Sequence, residues 1–193
     1  KRLLEQKSIF EVIGEADSGE TGYRIFGELN PDVMVMDLSM PGMGGLEAIR
    51  RILMRYEKAK ILVLSMHEDL SFANQALKLG AKGYLIKNTL GDDLVKSIQA
   101  ISKGEVFLSD EIAKKIAMQS IDGDQDPIHT LSAREFEIFR LLAEGLEIDA
   151  IAKILNVSSK TVSNYQTTIK QKLNINTPVE LIRYAIKAGG IKN

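Results

Sequence analysis

Short apolar runs alternate with longer amphipathic stretches through the first half of the chain. Val12–Ala16, Asp32–Asp37, Ile61–Ser65 and Gly83–Lys87 read as strands. Three of these are nearly continuous apolar runs, the mark of strands covered on both faces. Helical spacing falls between and after them, at 19–29, 45–56, 70–79 and 91–103. In the second of these stretches Leu46, Ile49, Ile52 and Leu53 share one face, and Arg50, Arg51 and Arg55 take the other. Strand alternating with helix predicts βαβ units, a parallel sheet and right-handed crossovers. Ser109-Asp110-Glu111 then opens a helix to about Gln119, with acids in its first turn. The polar stretch from Asp122 to Pro127 reads as an interdomain linker. Beyond Leu131 only helical periodicity remains, in four pieces at 132–144, 148–155, 159–173 and 177–188. Thr177-Pro178-Val179-Glu180 supplies an N-cap, a first-turn proline and a capping-box glutamate, and Gly189-Gly190 ends that last helix. The pattern predicts an α/β doubly wound parallel-sheet domain followed by an all-α domain.

Composition narrows the picture. The 193 residues include no cysteine, which excludes disulfide frameworks, thiolate metal sites and cysteine nucleophiles. No apolar run approaches the roughly 20 residues of a membrane span, so no membrane partner is expected. Charge is balanced overall at −1, but residues 127–193 hold nine Lys and Arg against six Asp and Glu. An acidic front and a basic back hint at nucleic acid for the second domain.

Candidate chemistry gathers at strand ends. Asp37 closes the run Val33-Met34-Val35-Met36, and Pro41-Gly42-Met43-Gly44-Gly45 follows as a loop over it. Open α/β sheets bind ligands at the carboxyl ends of their strands. The next strand ends in Ser65, a hydroxyl, and the last in Lys87, a cation. An aspartyl phosphate needs such neighbours, with a divalent cation to neutralise charge. The plainer reading is that Asp37 caps a turn and Lys87 is a surface charge. The convergence of the three favours the first.

Met36 to Gly45, Leu64-Ser65 and Gly80 to Lys87 together resemble a two-component receiver domain, over roughly residues 1–105. The resemblance implies that Asp37 is the phosphoacceptor, Lys87 the phosphate-binding lysine, Ser65 the switch hydroxyl and Tyr84 the switch aromatic. It also implies Mg²⁺ held by Asp37 and the backbone carbonyl of Ser39. For Tyr84, ordinary packing on a strand is an equal reading. One departure stands out. Lys1 to Gln6 looks like the last turns of a receiver's first helix, and the first strand with its acidic pair is absent from this chain. Ordinary element lengths put about 20 residues upstream. The strand would lie mid-sheet between Val12–Ala16 and Asp32–Asp37, and without it both metal binding and phosphorylation by this chain are in question.

The window 150–179 contains no acidic side chain and includes Lys153, Lys160, Lys170 and Lys172. Within it, the helix at 159–173 packs Val162, Tyr165, Ile169 and Leu173 and turns Lys160, Ser163, Asn164, Thr167 and Gln171 outward. Amides pair with adenine edges, hydroxyls read several bases and lysines hold phosphates. An ordinary helical bundle with a polar face fits the same spacing. Leu131 to Glu135, Leu141 to Gly145, Leu155 to Ser158, Thr161-Val162 and Lys172 to Ile175 resemble the LuxR-type helix-turn-helix. That implies a recognition helix at 159–173, with Ser163, Asn164 and Thr167 near bases and Lys160 and Lys170 on the backbone of double-stranded DNA. The family often has lysine where Ser163 stands and histidine where Tyr165 stands. Val179, Ile182 and Ile186 fall where the family dimerises, although inward packing would explain them equally.

The combination resembles a NarL/FixJ-type response regulator, and Thr161-Val162-Ser163-Asn164-Tyr165 with Ser39-Met40-Pro41-Gly42 look most like the GacA/UvrY group. Expected domains are a receiver at 1–105, a linker helix and flexible linker at 106–130, and a helix-turn-helix domain at 131–193. The implied function is transcription regulation in the cytoplasm: a sensor histidine kinase phosphorylates Asp37 and so controls homodimerisation and DNA binding. The resemblance implies no enzymatic activity. Two rivals remain. A phosphorylation-independent regulator would keep a vestigial receiver as a dimer module. An Asp-nucleophile phosphatase of the haloacid-dehalogenase kind would want a second aspartate at position 39, where Ser39 stands. His67 and His129 read as incidental surface residues.

Overall fold

A computed structural model of the chain describes residues 9–40, 42–66, 70–87, 91–122 and 127–187. Two compact units emerge, Lys1–Glu68 with Ala76–Lys114, and Asp69–Gln75 with Lys115–Asn193.

The first unit carries a four-stranded parallel sheet, β1 (Met34–Asp37), β2 (Ile61–Ser65), β3 (Gly83–Ile86) and β4 (Phe107–Leu108), ordered as in the sequence. Helices α1 (Gly19–Leu29), α2 (Gly45–Arg55) and α4 (Asp92–Ser102) belong to this unit, and α3 (Leu70–Leu79) follows β2 in the chain with only its residues from Ala76 onward in this unit. Burial explains the apolar runs: Ile61, Leu62, Val63, Tyr84 and Leu85 are all fully buried. Leu62 and Leu85 pack against Leu94, Ile98 and Ile101 of α4. Each such side chain contributes about 1.5–3 kcal/mol of burial. Helix α2 turns Leu46, Ala48, Ile49 and Ile52 inward. Its outer arginines find Glu47, which is buried yet bonded to Arg50 Nε at 2.7 Å and Arg51 Nε at 2.8 Å.

One expectation needs correction, and two details add to the rest. Val12–Ala16 forms no strand. A strand exists by pairing its backbone N–H and C=O groups, and among the described residues β1 pairs only with β2. Val12–Ala16 and β1 instead both line a cavity of about 740 Å³, with Ile25, Val33, Leu94 and Ile98 in its wall. Ser109 starts the next helix, α5 (Asp110–Asp122), through its carbonyl, which accepts Ala113 N–H at 2.9 Å. Its buried hydroxyl has no hydrogen-bond partner among the described residues, so it does not cap that helix. The short strand β4 had no periodicity to announce it; two residues are too few to alternate.

The second unit is helical: a 3₁₀ turn (Pro127–Thr130), α6 (Ala133–Ala143), α7 (Ile148–Ile154), α8 (Ser159–Leu173) and α9 (Pro178–Lys187). Phe136, Ile138, Phe139, Ile151, Val162, Ile169 and Ala185 fill its core. Local chemistry fixes each start. Ser132 and Glu135 form a reciprocal capping box on α6, Ser158 Oγ accepts Thr161 N–H at 3.1 Å on α8, and Thr177 with Glu180 closes the box on α9. Caps of this kind contribute about 1 kcal/mol each. Asn174 ends α8 in the left-handed region at φ 53°, which asparagine tolerates better than most residues. Residues 123–126 of the expected linker, and the Gly189-Gly190 stop, lie outside the described residues.

Candidate functional site

The strand ends meet as the register requires. Asp37 is aligned with Leu64, one residue before Ser65, and Ser65 is aligned with Ile86, one residue before Lys87. The three side chains therefore stand at the carboxyl edge of three adjacent parallel strands. Lys87 Nζ donates to Asp37 Oδ2, and both side chains are about one-third exposed. Asp37 Oδ1 accepts the backbone N–H of Ser39 at 3.0 Å, closing an Asx-type turn. A carboxylate held this way is oriented and partly open to solvent. Ser65 is fully buried beside it and Tyr84, one strand further on, is fully buried too. His67 lies outside the described residues, while His129 is half-buried with Nε2 3.1 Å from Gln119 Nε2.

The backbone packs closely around Asp37. A Cβ on Gly45, the first residue of α2, would stand 2.4 Å from the carbonyl oxygen of Asp37 and 2.6 Å from Leu38 Cα. Gly45 N–H donates to Leu38 O at 3.3 Å. The glycine lets helix α2 start directly against the acid-bearing turn.

Magnesium keeps several waters and is commonly bound through one or two carboxylates together with phosphate oxygens. Asp37 offers one carboxylate, and among the described residues no cluster of three or more metal-binding side chains occurs. That donor set fits a cation shared with a phosphoryl group, and does not make a cage that holds the metal by itself.

In the second unit α8 buries Val162, Ile169 and Leu173, while Tyr165 is only half-buried. Lys160, Asn164, Thr167 and Gln171 are exposed; Ser163 and Lys170 are half-buried at the flanks. Ser163 Oγ donates to Ser159 O at 3.0 Å and Thr167 Oγ1 to Ser163 O at 3.1 Å. With their protons directed to the backbone, these hydroxyls present lone pairs outward, suited to the amino groups of cytosine or adenine. At the helix start Ser159 Oγ donates to Asp149 Oδ1 of α7 at 2.5 Å, a contact that sequence spacing did not indicate. Arg134 of α6 donates to the Leu155 carbonyl at 2.9 Å, tying α6 to the turn before α8. On α9, Val179, Ile182 and Ile186 are 59%, 40% and 42% exposed, and Leu181 and Ala185 take the inward face. Three large apolar side chains thus form an uncovered stripe.

Known proteins match both halves. Residues 1–99 match the response regulator receiver domain, and residues 129–185 match the bacterial regulatory proteins of the luxR family. UvrY of Escherichia coli K12 is 35% identical over 98% of this chain and 88% of its own length. DegU of Brevibacillus brevis is 32% identical over 100% and 89%, and GacA of Pseudomonas aeruginosa 35% identical over 97% and 89%. Among solved structures, RcsB from Salmonella enterica serovar Typhimurium, bound to promoter rprA in the presence of phosphomimetic BeF₃⁻, aligns with a TM-score of 0.67 and 29% identity over 95% of this chain and 89% of that one. These matches favour neither the phosphatase nor the vestigial receiver.

Proposed function

The chain belongs to the two-component response regulators that join a receiver to a LuxR-type DNA-binding domain, and on that premise we propose that Asp37 is the phosphoacceptor through which a sensor histidine kinase controls it. The observation that carries this assignment is the Asp37–Lys87 ion pair at the carboxyl edge of the sheet, with Ser65 on the strand between them. A phosphoryl group leaves a phosphohistidine nitrogen for an Asp37 carboxylate oxygen. The P–N bond breaks as the P–O bond forms, and the freed imidazole takes a proton from solvent. Lys87, already against Asp37, holds the transferred oxygens, and the Ser65 hydroxyl donates to them. Receiver domains generally depend on Mg²⁺ for phosphorylation; here Asp37 and the Ser39 carbonyl would hold it, and it supplies charge neutralisation. Tyr84 follows Ser65 as the aromatic of the switch.

The output is DNA binding and transcription regulation, with α8 as the recognition helix. Ser163, Asn164 and Thr167 meet base edges, and Lys160 and Lys170 meet phosphates. Phosphorylation promotes a homodimer through Val179, Ile182 and Ile186, so that two recognition helices address paired half-sites. The protein works in the cytoplasm as a regulator, without turnover of a substrate. The receiver covers 1–105 and the DNA-binding domain 131–193, with 106–130 as linker.

Asp37→Asn tests the assignment. Intact-mass measurement after acetyl phosphate and Mg²⁺ is expected to show one added phosphoryl group on the unaltered chain and none on the variant. Uptake that survives in the variant refutes it.

A further inference from the structure

The acid-free window 150–179 holds four lysines that look equivalent in sequence, and the structure separates one of them. Lys172 lies in the last turn of α8. At about 100° per residue it stands roughly 120° around the helix from Lys160, on a flank beside the buried face, with its side chain 36% exposed. Its Nζ donates to Glu135 Oε2 at 2.6 Å and to the Thr130 carbonyl at 3.2 Å. Glu135 is the capping-box acid of α6, and the same Oε2 accepts the Ser132 N–H at 2.6 Å. Its side chain is 8% exposed. One buried carboxylate oxygen therefore joins the start of α6 to the end of α8, and Lys172 adds the carbonyl that closes the 3₁₀ turn.

We propose that Lys172 is a positioning residue for DNA recognition: paired with Glu135, it fixes the end of the recognition helix against α6 and the Pro127–Thr130 turn, and it touches no phosphate. The argument is one of alternatives for the charge. Were Lys172 to swing to a DNA phosphate, Glu135 would stay behind as a buried carboxylate without its cation, an arrangement proteins avoid. The pairing also cancels the lysine's charge locally, so it contributes little to attraction of DNA. At its other end α8 is tied by Ser159 to Asp149 of α7. The helix is thus held at both ends by acids from the two scaffold helices, and its outward face keeps one angle and depth.

The inference rests on α8 being the recognition helix, and the experiment separates the two. Full-length chain is titrated with a duplex that the unaltered protein selects from a random-sequence pool, and with a scrambled duplex, over a series of salt concentrations. Lys172→Gln and Glu135→Gln are each expected to lower affinity for the selected duplex about tenfold, with much less effect on the scrambled one, and the double variant is expected to be no worse than either single variant. The slope of log affinity against log salt stays unchanged, and Lys172→Arg, which keeps the pair, keeps the selectivity. A slope reduced by about 0.9 in Lys172→Gln would make Lys172 a phosphate contact and overturn the proposal. So would unaltered selectivity accompanied only by a lower melting temperature, the sign of a purely structural role. If the glutamine variants do not fold, Lys172→Arg decides: a folded arginine variant without selectivity overturns the proposal. Asn164→Ala and Lys160→Ala are the control for α8 itself. If neither changes selectivity or slope, the assignment of the recognition helix has failed; if both act and Lys172→Gln does not, only the positioning role has.

Discussion

Two glycines make the sharpest test of how the fold shapes the phosphoacceptor site. At both Gly45 and Gly27 an added Cβ would stand 2.4 Å from its nearest neighbour. The neighbours differ in kind. At Gly45 they are the Asp37 carbonyl oxygen and Leu38 Cα, backbone atoms held in the turn after β1. At Gly27 the neighbour is the Tyr56 hydroxyl, the far end of a side chain that can rotate. Overpacking that must move backbone costs about 1–3 kcal/mol or more. Alanine recovers up to about 1 kcal/mol of helix propensity over glycine. At Gly45, the first residue of α2, that recovery is small and the steric cost dominates, so Gly45→Ala is expected to lose about 2 kcal/mol. At Gly27, inside α1, propensity offsets the small displacement of Tyr56, and Gly27→Ala is expected to fall within about 0.5 kcal/mol of zero.

For a domain of this size 2 kcal/mol lowers the melting midpoint by about 8–16 °C. Differential scanning calorimetry of the two variants reads that shift. Phosphoryl uptake from acetyl phosphate, measured well below both midpoints, reads the site. Gly45→Ala is expected to be slow even where folded, because its Cβ displaces the carbonyl of the accepting residue. Equal midpoints for the two variants would refute the backbone-contact reasoning. A destabilised Gly45→Ala with unchanged uptake would show that α2 supports the fold without setting the geometry of Asp37.

Other outcomes follow from the same geometry. Lys160→Ala and Lys170→Ala are each expected to flatten the salt dependence of DNA binding by about 0.9, and titrations at several salt concentrations check this. Ile182→Asp is expected to leave the monomer folded, since the residue is exposed, and to prevent dimer formation on phosphorylation, as read by sedimentation. Burial alone would raise the Glu47 carboxyl, but its bonds to Arg50 and Arg51 more than offset this and lower its pKa. Burial would likewise raise the Glu135 carboxyl, but its bonds to Lys172 and Ser132 outweigh this and lower its pKa. Both groups therefore add stability that is present above the unfolded carboxyl value of about 4.3 and is lost as pH falls through the lower folded value. Glu47→Gln and Glu135→Gln are expected to lower the neutral-pH midpoint and to make acid unfolding shallower, as followed by circular dichroism from pH 7 to pH 2.

The legible parts of the fold are those with a local cause. Continuous apolar runs marked the strands β1 to β3, of which β2 and β3 are buried, and Thr177 with Glu180 announced the start of α9 through a capping pattern that the structure reproduces. Asp37, Ser65 and Lys87 were readable as strand ends because parallel register brings successive ends to one edge. Val12–Ala16 failed for a non-local reason. Its composition suits a strand, but a strand is made by its neighbour, and among the described residues Val12–Ala16 has no strand beside it to pair with. The close approach at Gly45 was equally hidden, because a glycine-rich loop looks the same in sequence whether its glycines serve flexibility or contact.

The lysines of the second unit make the same point about function. Sequence distinguishes them only by position along a helix, and at that level Lys160, Lys170 and Lys172 all fall in one acid-free window. Charge counting would send all three to DNA. What divides them is a partner 37 positions away, Glu135, whose burial is set by the packing of α6 against α8. A basic window therefore overstates the charge available to nucleic acid wherever a buried acid from another helix claims one of its members. The charge that attracts DNA to this surface is better counted from exposed, unclaimed lysines such as Lys160 than from the net +3 of residues 127–193.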